Sequence, residues 1–209
     1  MIIAIIGPDG CGKTTQAKML VESLNRIGYD SIYVHSNDVL FSTISSNKPL
    51  NLNQLGPRNF RKSKNESSKE RHVYRMPLQI IASSLGFFYA LFSYVYIKYV
   101  LDRNKIIVCD RYYYQFFNDL FGEIYGEKIS RMFPQPEMIF LLDLDINLLY
   151  SRMIDKADRN IGKDYYIKLF RLYKKLGDDL NFIQIDSRLE KEKVNELIFN
   201  NVCNRLGDA

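Results

Sequence analysis

The chain has 209 residues, a net charge of +5 and three cysteines. This length suits one domain with a core large enough to fold unaided. The cysteines (Cys11, Cys109 and Cys203) form no C-x-x-C pair, which argues against a zinc ribbon or a disulfide framework and favours a reducing compartment such as the cytoplasm. There is no run of five or six basic residues, so no nucleic-acid partner is expected.

The first predicted strand, Ile2–Ile6, leads into a glycine-rich loop and then a helix predicted over Lys13–Ile27. The loop reads Gly-Pro-Asp-Gly-Cys-Gly-Lys-Thr and fits G-x-x-x-x-G-K-[ST], the P-loop, in the strand–loop–helix context that the motif requires. Glycines let successive backbone N–H groups converge on a phosphate, and the helix N-terminus adds partial positive charge. We expect Lys13 to reach the β- and γ-phosphates of a nucleotide and the Thr14 hydroxyl to bind Mg²⁺.

Apolar runs and helical segments alternate along the rest of the chain, which is typical of a parallel sheet covered on both faces. The further predicted strands are Ser31–His35, Ile106–Cys109, Met138–Asp143 and Phe182–Ile185. The further predicted helices are His72–Arg103 (with a possible break), Gln115–Phe133, Ile146–Asp155, Lys163–Leu176 and Leu189–Leu206. The segment of about residues 42–69 is rich in Asn, Ser and Lys and predicts a mobile insertion within a single domain, residues 1–209.

The stretch from Met76 to Ile97 contains no charged residue and approaches the length of a membrane span. Polar residues dilute it, and Lys98 follows it. A core helix, a dimer interface and a membrane-facing helix are the three interpretations. We expect one of the first two, because a helix that is apolar all round must be covered, and we do not expect membrane contact.

Asp110 and Arg111 follow the third predicted strand directly. Ligands of such sheets bind beyond the carboxyl ends of the strands, so this pair is placed to face a ligand. The acid can hold a metal shell or the acceptor, and the planar guanidinium can bind a phosphate. A plain strand-end salt bridge is the alternative.

The P-loop segment Gly7–Gln16, taken with Asp110-Arg111-Tyr112, resembles the thymidylate kinase family of P-loop kinases. Three other pieces resemble the family's fourth strand, its basic LID and its adenine-contacting loop: Pro136–Asp143, Lys156–Arg159 and Ile185–Arg188. The resemblance implies a P-loop NTPase fold, an α/β/α arrangement of three layers with a five-stranded parallel sheet in the order 2-3-1-4-5. It also implies a short LID at about residues 155–163, ATP as donor, Mg²⁺ as cofactor, dTMP as acceptor and a homodimer.

The resemblance carries roles onto individual residues. The implied catalytic residues are Lys13, Asp110, Arg111 and Arg159. The implied donor-site residues are Gly7, Asp9, Gly10, Cys11, Gly12, Lys13, Thr14, Thr15, Arg152 and Arg188. Thr14 and Asp110 are the implied metal ligands, and Asp9 would face the sugar side of the acceptor. Such a set suits phosphoryl transfer, which depends mainly on positioning and on neutralising the charge of two phosphates.

The acceptor half departs from the family pattern. His35-Ser36-Asn37-Asp38 stands where the family usually has Arg-Glu-Pro-Gly-Gly, and Phe88-Tyr89 stands where it usually has an Asp-Arg pair. One hypothesis is that aromatic side chains stack a base here, with Phe87, Phe88, Tyr89, Tyr112 and Tyr113 as candidates. Another is that substitute cations come from Arg58, Arg61, Arg71 or Arg75. The alternative functions are therefore a P-loop kinase for another nucleoside, nucleotide or small metabolite, and a non-catalytic NTP-binding switch.

Overall fold

The computed structural model describes residues 1–35, 76–102, 104–144 and 163–207. Within them a five-stranded parallel sheet has the order β2-β3-β1-β4-β5, which confirms the predicted fold class and strand order. The strands are β1 (Ile2–Ile6), β2 (Ser31–His35), β3 (Ile106–Asp110), β4 (Met138–Asp143) and β5 (Ile183–Asp186). Strand β3 extends one residue beyond its prediction and so includes Asp110, while β5 begins and ends one residue later than predicted.

The helices of the described residues cover both faces of this sheet. They are α1 (Lys13–Arg26), α2 (Met76–Tyr96), α3 (Tyr113–Met132), α4 (Lys163–Leu180) and α5 (Lys191–Gly207). A π-helical turn, Ile97–Leu101, continues α2, so the helix predicted over His72–Arg103 changes its hydrogen-bonding pattern near its end but is not interrupted between Met76 and Leu101. Helix α4 runs four residues beyond its predicted end. The predicted helix Ile146–Asp155, the insertion at 42–69 and the LID apart from Lys163 lie outside the described residues.

Strand β1 shows how the layers are built, because its side chains alternate between two cores. Ile2, Ala4 and Ile6 pack on the side of α2, α3 and α4. Ile3 and Ile5 pack on the side of α1 and α5. All five side chains are buried, as expected for the central strand of a parallel sheet with helices on both faces.

Helix α3 is bent at Gly122, whose φ of 78° and ψ of 174° are not helical. The second half folds back against the first, and the Phe133 ring ends 5.1 Å from that of Tyr113. Gly126 lies so close to the first half that a Cβ there would stand 2.7 Å from the Asn118 Cα atom. The helix predicted over Gln115–Phe133 is present, but it begins at Tyr113 and ends at Met132. The prediction did not include the turn at Gly122, a residue type that adopts positive φ without steric cost.

From Ser83 onward, helix α2 and the π-helical turn after it are buried on one side only. Ala90, Ser93 and Ile97 face the core, whereas a row of apolar side chains on the opposite side is between 40% and 68% exposed. This row, called the outer stripe below, consists of Leu85, Phe88, Phe92, Val95 and Tyr99. By length and composition, Ser83–Leu101 could cross a membrane, and 17% of it is buried in the structure. The stripe is uncovered apolar surface, so α2 is not a fully buried core helix.

Candidate active site

The P-loop forms a tight turn between β1 and α1. Gly7 has a φ of 145°, and a Cβ there would stand 2.8 Å from Cys11 Sγ and 2.9 Å from the Leu142 carbonyl oxygen, so a side chain does not fit. Gly12 takes a left-handed conformation at the start of α1, and no side chain caps this helix. The first-turn amides of α1 thus have no side-chain acceptor, which makes this helix end suitable for binding a phosphate.

The Lys13 side chain is buried and curls back over this loop. Its Nζ atom donates to the Pro8 carbonyl oxygen at 2.6 Å and forms an ion pair with Asp9 Oδ1 at 3.5 Å. The ammonium group is therefore held beside the backbone turn. The ammonium and the backbone N–H groups of the loop would attract the same anion, such as a phosphate.

Asp110 is fully buried at the carboxyl end of β3, where two hydroxyl groups donate to a single oxygen of its carboxylate. Thr14 Oγ1 lies 2.5 Å and the Tyr33 hydroxyl 2.9 Å from Asp110 Oδ2. Among the described residues, Oδ1 has no hydrogen-bond partner. A buried carboxylate oxygen without a donor calls for a cation or a water molecule, and Thr14 offers a second oxygen next to it.

This pair of oxygens fits Mg²⁺ as kinases use it. The ion takes one or two protein oxygens, and substrate phosphates and water complete its octahedral shell. In the part of the chain that the structure describes, no group of three or more His, Cys, Asp or Glu side chains could form a cage for a metal. A Mg²⁺ ion held by these two oxygens would take its remaining ligands from water or from a bound phosphate.

Arg111 links the P-loop to α3. Its backbone is left-handed, with a φ of 73°, which is uncommon for a residue with a side chain and typical of functional sites. Nη2 donates to Asp9 Oδ1, and Nη1 donates to Gln115 Oε1 at 3.0 Å. The guanidinium is therefore held from two sides, by the loop that faces the donor and by the helix that follows β3.

The charges in this cluster support one another. Burial raises the pKa of Asp9, but the positive charges of Lys13 and Arg111 outweigh it, so that this pKa lies below its ordinary value. Burial lowers the pKa of Arg111, and the Asp9 carboxylate more than offsets that effect. Both groups thus remain ionised at neutral pH.

The loop between β5 and α5 lies beside the first turn of α1, because Gln16 Nε2 donates to the Lys191 carbonyl oxygen at 2.9 Å. Within this loop Arg188 is exposed and donates to both oxygens of Asp186, at 2.7 to 3.1 Å. These bonds hold the pKa of Asp186 at about 2. Arg188 therefore lies in a loop that leads into α5 where α5 meets α1. The contact with the adenine that the resemblance implies stays a prediction.

The predicted residues fall into two groups. The structure brings Asp9, Lys13, Thr14, Asp110 and Arg111 together at the carboxyl edge of the sheet. Predicted residues that lie outside the described part are Arg58, Arg61, Arg71, Arg75, Arg152 and Arg159.

The suggested stacking role does not suit Tyr112 and Tyr113, since both rings are buried. Their rings pack against each other with centroids 5.0 Å apart, and both pack against Phe133. Phe87 also joins this packing, with its ring centroid 6.3 Å from that of Phe133. These aromatic side chains therefore build the core between α2 and α3.

Three residues at the site were not singled out from the sequence as site residues. Tyr33 binds Asp110, Gln115 binds Arg111, and the Tyr165 hydroxyl accepts from Gln115 Nε2 at 3.0 Å. Only Gln115 carried a signal, because it lies four positions after Arg111, in the first turn of the helix that follows. Tyr33 and Tyr165 come from distant parts of the chain, so neither could be linked to the site before the fold was known.

Comparison with known proteins shows which family the chain resembles. Residues 61–198 match the family model of thymidylate kinase. A probable thymidylate kinase of Methanocaldococcus jannaschii is 27% identical over 206 residues, covering 95% of this chain and 94% of that protein. A probable thymidylate kinase 1 of Saccharolobus solfataricus is 28% identical over 206 residues and covers 93% of each chain.

Solved structures share the fold. A deoxyadenosine kinase from M. mycoides with bound dATP superposes with a TM-score of 0.57 at 17% identity, over 97% of this chain and 98% of that one. The same kinase with dCMP and dCDP bound superposes with a TM-score of 0.53. At this level of identity the likeness concerns the arrangement of the sheet and helices.

Proposed function

The chain belongs to the thymidylate kinase family, and we propose that it transfers the γ-phosphoryl group of ATP to dTMP, releasing ADP and dTDP, with Mg²⁺ as cofactor. Its class, a nucleoside monophosphate kinase-like enzyme, follows from the family and its relatives. The observation that supports the chemistry best is the single cluster of Lys13, the uncapped helix end and the Asp110–Thr14 oxygen pair. It combines a phosphate cradle with oxygens suited to a metal.

In the proposed reaction an oxygen of the acceptor phosphate attacks the γ-phosphorus, and the bond from that phosphorus to the bridging oxygen of the β-phosphate breaks. Bound Mg²⁺ would neutralise charge on the β- and γ-phosphates. The Lys13 ammonium and the amides of Gly10, Cys11, Gly12 and Thr14 would hold the donor phosphates, with Thr15 next to them. These groups are in place before the reaction, so little reorganisation is needed when charge develops.

The acceptor would approach from the side of Arg111. A guanidinium presents a planar fork that matches two phosphate oxygens, and Arg111 is buried enough for its charge to act strongly. Asp9 would accept from a sugar hydroxyl while it holds the guanidinium in place. Arg159 is proposed to add positive charge from the LID, and Arg152 to add it from the predicted helix before the LID. Arg188 is proposed to contact the adenine.

A second acceptor class remains under this proposal, namely another nucleotide or a deoxynucleoside. It is favoured by Phe88-Tyr89, which stands where the family usually has the Asp-Arg pair whose arginine binds the acceptor phosphate. The segment after β2, which lacks the family's Arg-Glu-Pro-Gly-Gly, also favours it. The solved structures with the same fold include a deoxyadenosine kinase, whose acceptor is a nucleoside by its name. The donor chemistry would be the same with either acceptor.

An acceptor panel tests the proposal. Purified protein is incubated with ATP and Mg²⁺ alone, and then with dTMP, dUMP, dAMP, dCMP, dGMP or the matching deoxynucleosides, while ADP release is measured. ADP release that needs both dTMP and Mg²⁺, with dTDP as product, is the expected result. Turnover with a deoxynucleoside but not with dTMP would show that the acceptor is a nucleoside. If no acceptor increased ADP release, the result would favour the non-catalytic NTP-binding switch.

We also propose a single domain, residues 1–209, that works in the cytoplasm as a homodimer. The outer stripe supports the dimer, because Leu85, Phe88, Phe92, Val95 and Tyr99 are spaced by three and four residues alternately, the pattern by which two helices pack together. At ~200 Å² per fully exposed aromatic side chain, two facing stripes would bury on the order of 1,000 Å², the lower range for a specific interface.

The dimer has its own test. Size-exclusion chromatography with light scattering should give twice the mass of one chain for the wild type and one chain mass for Phe92→Glu. Ile124→Glu is the matched control, because Ile124 is also apolar and exposed but lies on α3, outside the stripe. A wild-type monomer would contradict the dimer, and a protein that stays in solution only with detergent would favour the membrane-facing interpretation.

A further inference from the structure

A row of hydrogen-bonded side chains extends from Arg111 to α4. Arg111 Nη1 donates to Gln115 Oε1 at 3.0 Å, and Gln115 Nε2 donates to the Tyr165 hydroxyl at 3.0 Å. That hydroxyl in turn donates to Asp119, whose carboxylate oxygens lie 2.8 and 3.0 Å away. The row connects the candidate active site with the first turn of α4, where Tyr165 lies 50 positions after Gln115 in the sequence.

The direction of every bond in this row is determined by the groups at its two ends. A guanidinium can only donate, so the oxygen of the Gln115 amide must face Arg111 and its nitrogen must face Tyr165. The Tyr165 hydroxyl then receives a hydrogen from the amide and gives its own to the Asp119 carboxylate, which can only accept. A phenylalanine at position 165 would leave both the amide nitrogen and the carboxylate without this partner.

We propose that Gln115 and Tyr165 are positioning residues for Arg111, an inference that rests on the proposed phosphoryl transfer. Asp9 holds one amino group of the guanidinium and Gln115 holds the other. Two bonds to different elements fix the plane of the fork, whereas the attraction of Asp9 alone would draw the guanidinium towards the P-loop. Tyr165 acts one step further out, because it sets the orientation of the Gln115 amide.

The packing around Tyr165 separates the role of its hydroxyl from that of its ring. The ring is half-buried, packs against both core clusters and meets the Tyr166 ring edge-on at a centroid distance of 5.4 Å. A phenylalanine would keep these contacts, so Tyr165→Phe removes the hydrogen bonds and little else. Gln115→Leu similarly preserves most of the side-chain volume.

Kinetics of the two variants and their combination test the proposal. We expect kcat to fall about tenfold in Gln115→Leu and about threefold in Tyr165→Phe, with the KM for ATP within a factor of two of the wild type. Because Tyr165 acts through Gln115, the double variant should be no slower than Gln115→Leu alone. Gln115→Glu, which keeps an acceptor oxygen for Arg111, should retain more activity than Gln115→Leu.

Tyr125→Phe is the matched control, because it removes the hydroxyl of an exposed tyrosine on α3 that takes no part in this row, and it should leave kcat unchanged. Melting temperatures of all variants show whether an effect is one of stability. Wild-type kinetics in both variants, effects that multiply in the double variant, or a loss of kcat that follows the loss of melting temperature would each overturn the proposal.

A measurement without turnover keeps this inference separate from the proposed reaction. The ¹⁵N–¹H signals of the Arg111 guanidinium report how freely the group rotates, whatever the acceptor is. Restricted rotation in the wild type that is lost in Tyr165→Phe would support the positioning role even if no acceptor in the panel were phosphorylated. Free rotation in the wild type would overturn it, while activity with dTMP would still support the proposed function.

Discussion

The carboxyl edge of the sheet gathers charged and hydroxyl side chains, whereas the packing between α2 and α3 gathers aromatic ones. At the edge, Asp9 pairs with both Lys13 and Arg111, and Asp110 accepts a hydrogen bond from Thr14. Between the helices, the rings of Phe117 and Phe133 stand 5.0 Å apart among several others. Both regions are well packed, but they respond to different changes.

The difference indicates which residues serve chemistry and which serve stability. Clusters of ionisable groups with shifted pKa values are candidate functional sites, so we attribute the cluster at the strand edge to the proposed reaction. Aromatic rings bury large apolar areas and stabilise the fold without needing a ligand. Substitutions at the edge should therefore reduce turnover with little loss of stability, and substitutions between the helices should do the opposite.

The largest effect is expected for Lys13→Ala. Removal of a preorganised cation at the phosphates should lower kcat by about 10²–10³-fold, because the Lys13 ammonium would stabilise the charge that develops on the donor phosphates. Lys18→Ala is the control, since Lys18 is exposed on the same helix, over the Tyr33 ring. Steady-state kinetics with the acceptor found in the panel measure the effect, and near-normal turnover of Lys13→Ala would remove the case for catalysis at this edge.

Asp110→Asn comes next, with kcat lower by roughly 10²-fold and a higher Mg²⁺ concentration needed for half-maximal rate. An amide keeps the shape of the carboxylate but lacks its charge, so ATP binding should change less than turnover. A Mg²⁺ titration of the rate measures this. Tyr33→Phe, which removes only a hydroxyl that donates to Asp110, should have a smaller effect. An unchanged Mg²⁺ dependence in Asp110→Asn would exclude Asp110 as a metal ligand.

Gly126→Ala tests the aromatic region, and it should destabilise the protein by about 1–3 kcal/mol without changing kcat. Its new Cβ would stand 2.7 Å from the Asn118 Cα atom, and backbone cannot move aside as a flexible side chain can. Gly177→Ala is the control, because its Cβ would meet the Phe182 ring at 3.4 Å, an ordinary contact. Urea denaturation of both variants measures the difference, and equal stabilities would contradict the bent packing of α3.

The smallest effect is expected for Asp9→Asn, which should lower the free energy of unfolding by about 1 kcal/mol at neutral pH. This loss should depend on pH. The pKa of Asp9 is below its ordinary value, so the ionised carboxylate stabilises the fold above a pH of ~4 and this contribution fades as pH falls through the lowered pKa. The gap in melting temperature between wild type and variant should therefore narrow below a pH of ~4. Asp178→Asn, at an exposed position, is the control and should melt at the same temperature as the wild type. A difference in melting temperature for Asp9→Asn that stayed constant down to a pH of ~2 would contradict the ion pairs of Asp9 with Lys13 and Arg111.

Much of the fold was predictable from the sequence because the order of apolar and polar residues and the positions of glycines indicate strands, helices and turns locally. Strand β1 alternates between two apolar faces, and the glycines of the P-loop allow the turn that follows, so both the motif and its neighbours were located correctly. The bend in α3 was missed, because a single Gly122 inside an apolar helical pattern is usually tolerated without a turn. The exposed stripe was missed too, since the sequence shows that α2 is apolar but not which side is covered.

The residues that surround Asp110 and Arg111 required the tertiary structure. Tyr33 reaches Asp110 because β2 and β3 are adjacent and in register, with His35 beside Asp110. Tyr165 reaches Gln115 because α4 packs on α3. The sequence by itself determined the phosphate cradle, which local backbone geometry builds. The partners of Asp110 and Arg111 come from strand register and helix packing, which only the folded chain decides, because contacts between distant segments leave no local pattern.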